Sequence, residues 1–225
     1  ITGVNKGLGK ALFDKLVKNK QNHVIAVSRR LTDYQHKLAH EGTITFFKQD
    51  LLDLKAPEEV FKLTIALKEI GEIIFINNAG TIVPINRIGM YSNKDILNSL
   101  QINTFVPMAI SNFLLNQFES KKISIINISS GAALKPIDGW GLYCSTKAAN
   151  KMFFDTLNIQ EEKNKRINVV NIDPGVIDSD MQKTIRSVAE TVFPRKEDFV
   201  NLKINDKLLS PEIAARNVIF EVKQM

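Results

Sequence analysis

Two rhythms of apolar residues alternate along this chain. Short runs rich in β-branched residues, His23–Ser28, Ile44–Gln49, Ile73–Asn77, Ile123–Ile128 and Ile167–Ile172, read as strands. Each is nearly continuous in apolar character, as expected when both faces of a parallel sheet are covered. Between them the apolar positions recur at helical spacing. Leu8–Lys18 carries Leu8, Leu12 and Leu16 on one face, and Pro57–Ile70 opens with Pro-Glu-Glu and stops before Gly71. Ser92–Gln117 begins with the capping pattern Ser92-x-x-Asp95 and contains Pro107, which predicts a kink or a restart. A helix from Trp140 or Tyr143 to Glu162 and a last one from Glu212 to Met225 complete the pattern.

Strands and helices in alternation, joined by right-handed crossovers, predict an α/β fold: a doubly wound parallel sheet of the Rossmann type, in a single domain over residues 1–225. One segment departs from the rhythm. Val176–Leu209 is long, mixed in polarity and contains Pro194, so residues 176–209 are expected to form a substrate lid rather than a connector. Its Met181, Ile185, Val188, Val192 and Phe193 would either close over a substrate or pack as a small helix on the body. Ile1-Thr2 leads straight into a glycine turn where a whole strand is expected, and the last helix has nothing after it, so the chain is expected to be shortened at both ends.

Composition narrows the classes. With 225 residues, 44% hydrophobic and 24% charged, the chain can bury a sizeable core. A net charge of +6 raises the question of nucleic acid, but the lysines are scattered along helices, so no nucleic-acid partner is expected. The single cysteine, Cys144, excludes an internal disulfide framework and fits a reducing compartment. No stretch is apolar for long enough to cross a membrane, and a cytoplasmic location is expected. His23, His36 and His40 lack ligand spacing, so no metal is expected.

The candidate chemistry starts at Tyr143 and Lys147, four residues apart and therefore on one helix face, with Ser130 upstream. A free tyrosine titrates near pH 10 and is a poor acid–base group at neutral pH unless its phenolate is stabilised, which a neighbouring ammonium can do. Such a pair is more often a surface coincidence. Its company changes the reading. Thr2–Gly9 places Gly3, Asn5, Lys6, Gly7, Leu8 and Gly9 between a strand remnant and a helix start, where glycines allow close backbone approach and the helix N-terminus offers free N–H groups to a pyrophosphate. After the second strand stands Ser28-Arg29-Arg30, where an enzyme using NAD places an acid for the ribose 2′-hydroxyl. Arg29, helped by Ser28 and by Lys6 or Arg30, suits a 2′-phosphate instead, which predicts NADP(H) as cofactor.

In order and spacing these residues resemble the short-chain dehydrogenase/reductase family over nearly the whole chain. The matching features are the T-G-x-x-x-G-x-G turn from Thr2, Asp50-Leu51, Asn77-Asn78-Ala79-Gly80, Asn103, Ser130, Tyr143 with Lys147, and Pro174-Gly175. Asn-Asn-Ala-Gly-Thr-Ile-Val-Pro-Ile from Asn77, Ile-Ser-Ser-Gly-Ala-Ala from Ile128, Gly-Trp-Gly-Leu-Tyr from Gly139 and Pro-Gly-Val-Ile-Asp-Ser-Asp-Met-Gln from Pro174 are similar to benzil reductases and sepiapterin reductases within it. Ser179 stands where the family often has threonine.

The resemblance implies that Asp50 and Leu51 flank the adenine, and that Asn77, Ala79 and Gly80 line the adenosine ribose. It implies that Pro174, Gly175, Val176, Ile177 and Ser179 lie along the nicotinamide. Ser130, Tyr143, Lys147 and Asn103 would be catalytic, with Tyr143 and Lys147 also touching the cofactor: Tyr143 as proton donor to a ketone or vicinal dicarbonyl, Lys147 lowering the tyrosine pKa, and Asn103 holding the helix open for a water. Trp140 and Met181 are expected at the substrate. A 3-oxoacyl or sugar alcohol reductase and a non-catalytic NADP(H) sensor are the alternatives; a sensor has no need of all four catalytic residues. The two long helices form subunit interfaces in the family, so a homodimer or homotetramer is expected.

Overall fold

A computed structural model describes residues 1–53, 55 and 71–223; the helix expected over Pro57–Ile70 lies outside the described residues. β1 (Val24–Ser28) pairs in parallel with β2 (Ile44–Lys48). β3 (Glu72–Asn77), β4 (Lys122–Ile128) and β5 (Ile167–Ile172) form a second parallel set in that order. Residues 1–3 join the two sets: Val27 N–H donates to Ile1 O at 2.9 Å, Gly3 N–H to Val27 O at 2.8 Å, and Thr2 N–H to Ile76 O at 3.2 Å. Read across, the order is β2, β1, residues 1–3, β3, β4, β5, the doubly wound arrangement in which winding reverses at the glycine turn.

The helices lie on both faces. α1 (Gly7–Leu16) and α8 (Pro211–Lys223) share one side; α4 (Val106–Gln117) and α5 (Gly141–Gln160) share the other. β4 shows why its run reads as unbroken. Ile126 and Ile128 pack with Leu8, Leu12 and Val218, while Ile123 and Ile125 pack with Ile110, Leu114 and Phe154. Full burial of each such side chain contributes roughly 1.5–3 kcal/mol, which holds both helical layers to the sheet.

Three local features differ from or refine the expectation. α2 (Asp33–His40) is a short helix between β1 and β2 whose apolar face is too brief to show as periodicity. Its signature lies in the capping box: Gln35 N–H donates to Thr32 Oγ1 at 3.3 Å and Thr32 N–H to Gln35 Oε1 at 2.9 Å. The long helix begins as α3 (Asn93–Leu100) and passes through a π-helical turn, Gln101–Phe105, before continuing as α4. Pro107 accounts for the break, because it has no N–H to give the carbonyl four residues back, that of Asn103. Asn150 Nδ2 donates to that carbonyl instead, at 2.6 Å.

The 176–209 segment is structured. It contains α6 (Asp180–Ser187) and α7 (Lys196–Ile204), and its Ile185, Phe193 and Phe199 bury against Trp140, Tyr143, Ile82 and Ile85. Trp140 stacks on Phe193 with centroids 5.0 Å apart and planes 2° from parallel. Among the described residues no helix is long and apolar enough to cross a membrane.

Candidate active site

A cavity of about 870 Å³ opens at the carboxyl ends of the strands, where an α/β sheet places its ligands. One end is the glycine turn. Gly3 and Gly7 have φ of +72° and +53°, a region that side chains resist. At Gly9 the constraint is space: a Cβ there would stand 2.0 Å from Gly3 O and 2.4 Å from Asn78 Nδ2. Thr2 and Asn78 hold the turn in shape, with Thr2 Oγ1 accepting the N–H of Asn78 at 3.1 Å and of Ala79 at 3.0 Å, and Asn78 Nδ2 donating to Thr2 O at 3.0 Å and Gly3 O at 3.1 Å. No side chain caps the N-terminus of α1, so its first amides are open to an anion, and Gly7, Leu8 and Gly9 line the cavity. This cradle fits a pyrophosphate.

Beside it, Ser28 ends β1 and its hydroxyl reaches Asn5 Oδ1 at 3.5 Å. Arg29 lines the cavity, is exposed and has no carboxylate partner among the described residues; Arg30 is exposed but is not in the wall. Lys6 is committed elsewhere, its Nζ 3.0 Å from Asp180 Oδ2 on α6. Asp50 and Leu51 also line the cavity, as do Ala79, Gly80, Pro174, Gly175, Val176, Ile177 and Ser179. Asn77 does not. It is 4% exposed, and its Nδ2 donates to Asn127 Oδ1 at 2.7 Å, because β3 and β4 are in register there and the inward face offers an amide partner rather than a ligand. Asn127 passes the pattern to Asn171 on β5 at 2.6 Å, and Asn171 to Asp155 on α5 at 2.8 Å. This amide ladder ties the sheet to the helix that carries Tyr143. Ser179 has a structural task too, its hydroxyl accepting Gln182 N–H at 3.4 Å to cap α6.

Ser130, Tyr143 and Lys147 line the same cavity. Tyr143 and Lys147 sit in the first turns of α5, both at least nine-tenths buried, with Lys147 Nζ over the tyrosine ring at 5.9 Å from its centroid. Ser130 follows β4 and caps a single 3₁₀ turn, Gly131–Ala133, by accepting Ala132 N–H at 3.2 Å. Lys147 Nζ donates to Ile128 O at 2.7 Å. Desolvation pulls its ammonium down to about 8, with the Asp173 carboxylate working against that pull. At neutral pH its charged form is still favoured.

Burial dominates at Tyr143 as well. It pushes the phenol up to about 12, a hydrogen bond with Ser130 draws it down, and Asp173 and Cys144 push it further up. The lowering of the tyrosine pKa expected from Lys147 is opposed in this cavity by the loss of water around the phenolate. At neutral pH such a phenol is in its protonated form.

Asn103 stands behind the wall, 2% exposed. Its Oδ1 accepts Thr81 N–H at 2.8 Å, and its Nδ2 donates to Thr81 O at 2.8 Å and to Thr146 Oγ1 at 3.0 Å. It braces the strand end that carries Gly80 against α5. Trp140, with its ring edge-on to Tyr143 at 5.6 Å, and Met181 line the far half of the cavity together with Ile82, Ile185 and Phe199. Reading the sequence named Asn78 only within a motif, with no task, and missed Asn150 and Asp173. Asp173 was legible in one respect, since it directly precedes Pro174-Gly175.

Known proteins agree with this geometry. A family model described as short chain dehydrogenase matches residues 1–190. The chain is 36% identical to a Bacillus cereus protein named benzil reductase ((S)-benzoin forming), over 97% of this chain and 90% of that one. It is 28% identical to a Xenopus tropicalis sepiapterin reductase, over 97% and 88%. Among solved structures, the KRED1-Pglu enzyme superposes with a TM-score of 0.83 at 29% identity, covering 96% of this chain and 90% of that one. On these matches the chain belongs to the short-chain dehydrogenase/reductase family, oxidoreductases that act on CH–OH and C=O groups with a nicotinamide cofactor.

Proposed function

We propose that this protein is an NADPH-dependent reductase of a ketone or vicinal dicarbonyl, with Tyr143 as the proton donor. The observation that carries the reading is a buried phenol hydrogen-bonded to Ser130 and standing beside the Lys147 ammonium in one cavity. When bound, NADPH supplies the hydride. Reduction builds negative charge on the carbonyl oxygen, and the hydroxyls of Ser130 and Tyr143 can both donate to it as the charge grows. Tyr143 then releases its proton to that oxygen, and the charge of Lys147 eases formation of the phenolate it leaves behind.

Arg29 supports NADPH over NADH. It is the cation of the cavity's adenine end without an acid partner among the described residues, whereas Lys6 is held by Asp180. The cradle at Gly3, Asn5, Gly7, Leu8 and Gly9 would hold the pyrophosphate, Asp50, Leu51, Ala79 and Gly80 the adenosine, and Pro174 to Ile177 with Ser179 the nicotinamide side. The substrate half, walled by Ile82, Trp140, Met181, Ile185 and Phe199, suits a bulky apolar ketone, and relatives named for benzil favour a vicinal diketone. Residues 176–209 act as the lid of this single domain. The exposed Leu97, Phe105, Met152 and Ile159 on the two long helices favour a homodimer or homotetramer, which sedimentation will weigh.

Turnover of NADPH with benzil, other vicinal diketones and simple ketones tests the reading, with NADH as the comparison. Tyr143→Phe is expected to lose about a hundredfold to ten-thousandfold in rate with NADPH affinity unchanged. Retention of most activity would remove Tyr143 from the mechanism.

A further inference from the structure

The proposed chemistry makes no use of Asp173, yet its carboxylate stands in the reaction cavity. It follows the last residue of β5 and lines the same cavity as Ser130, Gly131, Tyr143 and Lys147. Its direction is fixed. Oδ1 accepts the N–H of Gly175 at 3.0 Å, and Gly175 has a φ of +77°, so the chain turns sharply around the carboxylate. Oδ2 lies 3.3 Å from the place a Cβ would take on Gly131, the residue next to Ser130. Among the described residues no cation lies within ion-pair distance of it, and the ammonium of Lys147 has a neutral carbonyl, Ile128 O, as its hydrogen-bond acceptor. A fixed anion and a buried cation therefore share the cavity without forming a contact pair.

The other ionisable groups stand apart or act weakly. The groups that act on Tyr143 are Ser130, Asp173 and the Cys144 thiol, with the Lys147 ammonium over its ring; Asp173 acts on Lys147. Lys6 is matched by Asp180 at the cofactor end, and Arg195 by Asp198 at 2.8 Å at the substrate end. Arg29, Asp50, Asp95 and Lys135 line the outer parts of the cavity.

On the reductase reading above, we infer that Asp173 is a positioning residue for the proton step: its fixed charge keeps the Lys147 ammonium and the Tyr143 phenol protonated and so extends reduction to higher pH. The electrostatics agree in sign at both groups. The carboxylate raises Lys147 against the desolvation that brings it to about 8, and it adds to the desolvation that brings Tyr143 to about 12. Because the same protons serve both directions, removing the charge shifts the alkaline fall of reduction and the alkaline rise of oxidation down together.

Asp173→Asn tests this, since an amide oxygen still accepts the Gly175 N–H while the charge is gone. The pH dependence of kcat/KM for NADPH-driven reduction is expected to fall off about half a pH unit or more earlier than in the unsubstituted enzyme. Asp173→Glu is expected to return the limb toward its original place. An unmoved limb in the asparagine variant, or equal shifts in both variants, overturns the inference. Asp173→Ser carries the same expectation should the asparagine variant not fold. A second readout needs no turnover: in protein labelled with [13C-ε]lysine, the Lys147 signal, assigned by its loss in Lys147→Met, is expected to titrate lower in Asp173→Asn. An unchanged midpoint refutes the role of Asp173 whether or not the protein reduces ketones, whereas absence of any NADPH turnover with a shifted midpoint refutes only the reductase reading.

Discussion

Replacing Asn103 by alanine removes three hydrogen bonds from one buried side chain, those to Thr81 N–H, Thr81 O and Thr146 Oγ1 at 2.8, 2.8 and 3.0 Å. Each contributes about 0.5–1.5 kcal/mol net, and a buried group left without a partner costs about 1–3 kcal/mol. Thr146 keeps its bond to Tyr143 O at 3.0 Å, so Thr81 bears most of the loss. An overall loss of about 3 kcal/mol follows, which for a chain of this size lowers Tm by about 6–12 °C. Thr81 adjoins Gly80, and the Lys147 ammonium lies 3.8 Å from where a Cβ on Gly80 would stand, so the slackened wall is expected to lower kcat as well. Urea unfolding followed by circular dichroism gives the stability term; turnover at saturating NADPH gives the other. A loss below about 1 kcal/mol with ordinary kcat would mean that Thr81 and α5 keep their places without Asn103, and the bracing role would be wrong.

Other outcomes follow from single observations. The folded-state pKa of Lys147, about 8, lies below its ordinary 10.5, so its charged form costs stability below about pH 8 and the cost fades between pH 8 and 10.5. Lys147→Met should therefore gain most in relative stability at pH 7 and least near pH 10.5, while turnover is lost; denaturation at both pH values checks this, and a gain that grows with pH contradicts it. Arg29→Asp is expected to raise KM for NADPH about tenfold to a hundredfold and to leave NADH within about twofold, from the loss of charge-assisted bonds; equal losses with both cofactors would sink the assignment. Gly9→Ala puts a methyl 2.0 Å from Gly3 O and should abolish cofactor binding, with at least about 1–3 kcal/mol of strain, whereas Gly42→Ala, with nothing among the described residues within 4 Å, should bind normally in a fluorescence titration.

How much of this was legible varies with the range of the interaction. Strand runs such as Ile123–Ile128 declare themselves because both faces of β4 pack against helices, which leaves no polar alternation to interrupt them. The glycine turn was legible because backbone room is a property of the residue itself. Asn77 was not, since its role depends on Asn127 standing opposite it in register 50 residues later. Asn103 was found, and the structure adds that it stands in the π-helical turn with its side chain bracing Thr81 and Thr146. Residues 176–209 read as a lid whose apolar residues would either cover a substrate or pack as a small helix on the body; they form two helices, and Ile185 and Phe193 bury against Trp140.

The order of the elements, the glycine turn and the spacing of Tyr143 and Lys147 are carried by local chemistry, so the chain alone establishes the fold and the family. The protonation of the site is different. Tyr143 and Lys147 are neighbours in sequence, and adjacency alone argues for an acidic phenol; burial acts on that phenol in the opposite direction. The distant carboxylate of Asp173 enters the same balance only because β4 and β5 lie side by side. Desolvation and charge are set by what surrounds a group in space, so only the tertiary structure decides which proton the active site holds.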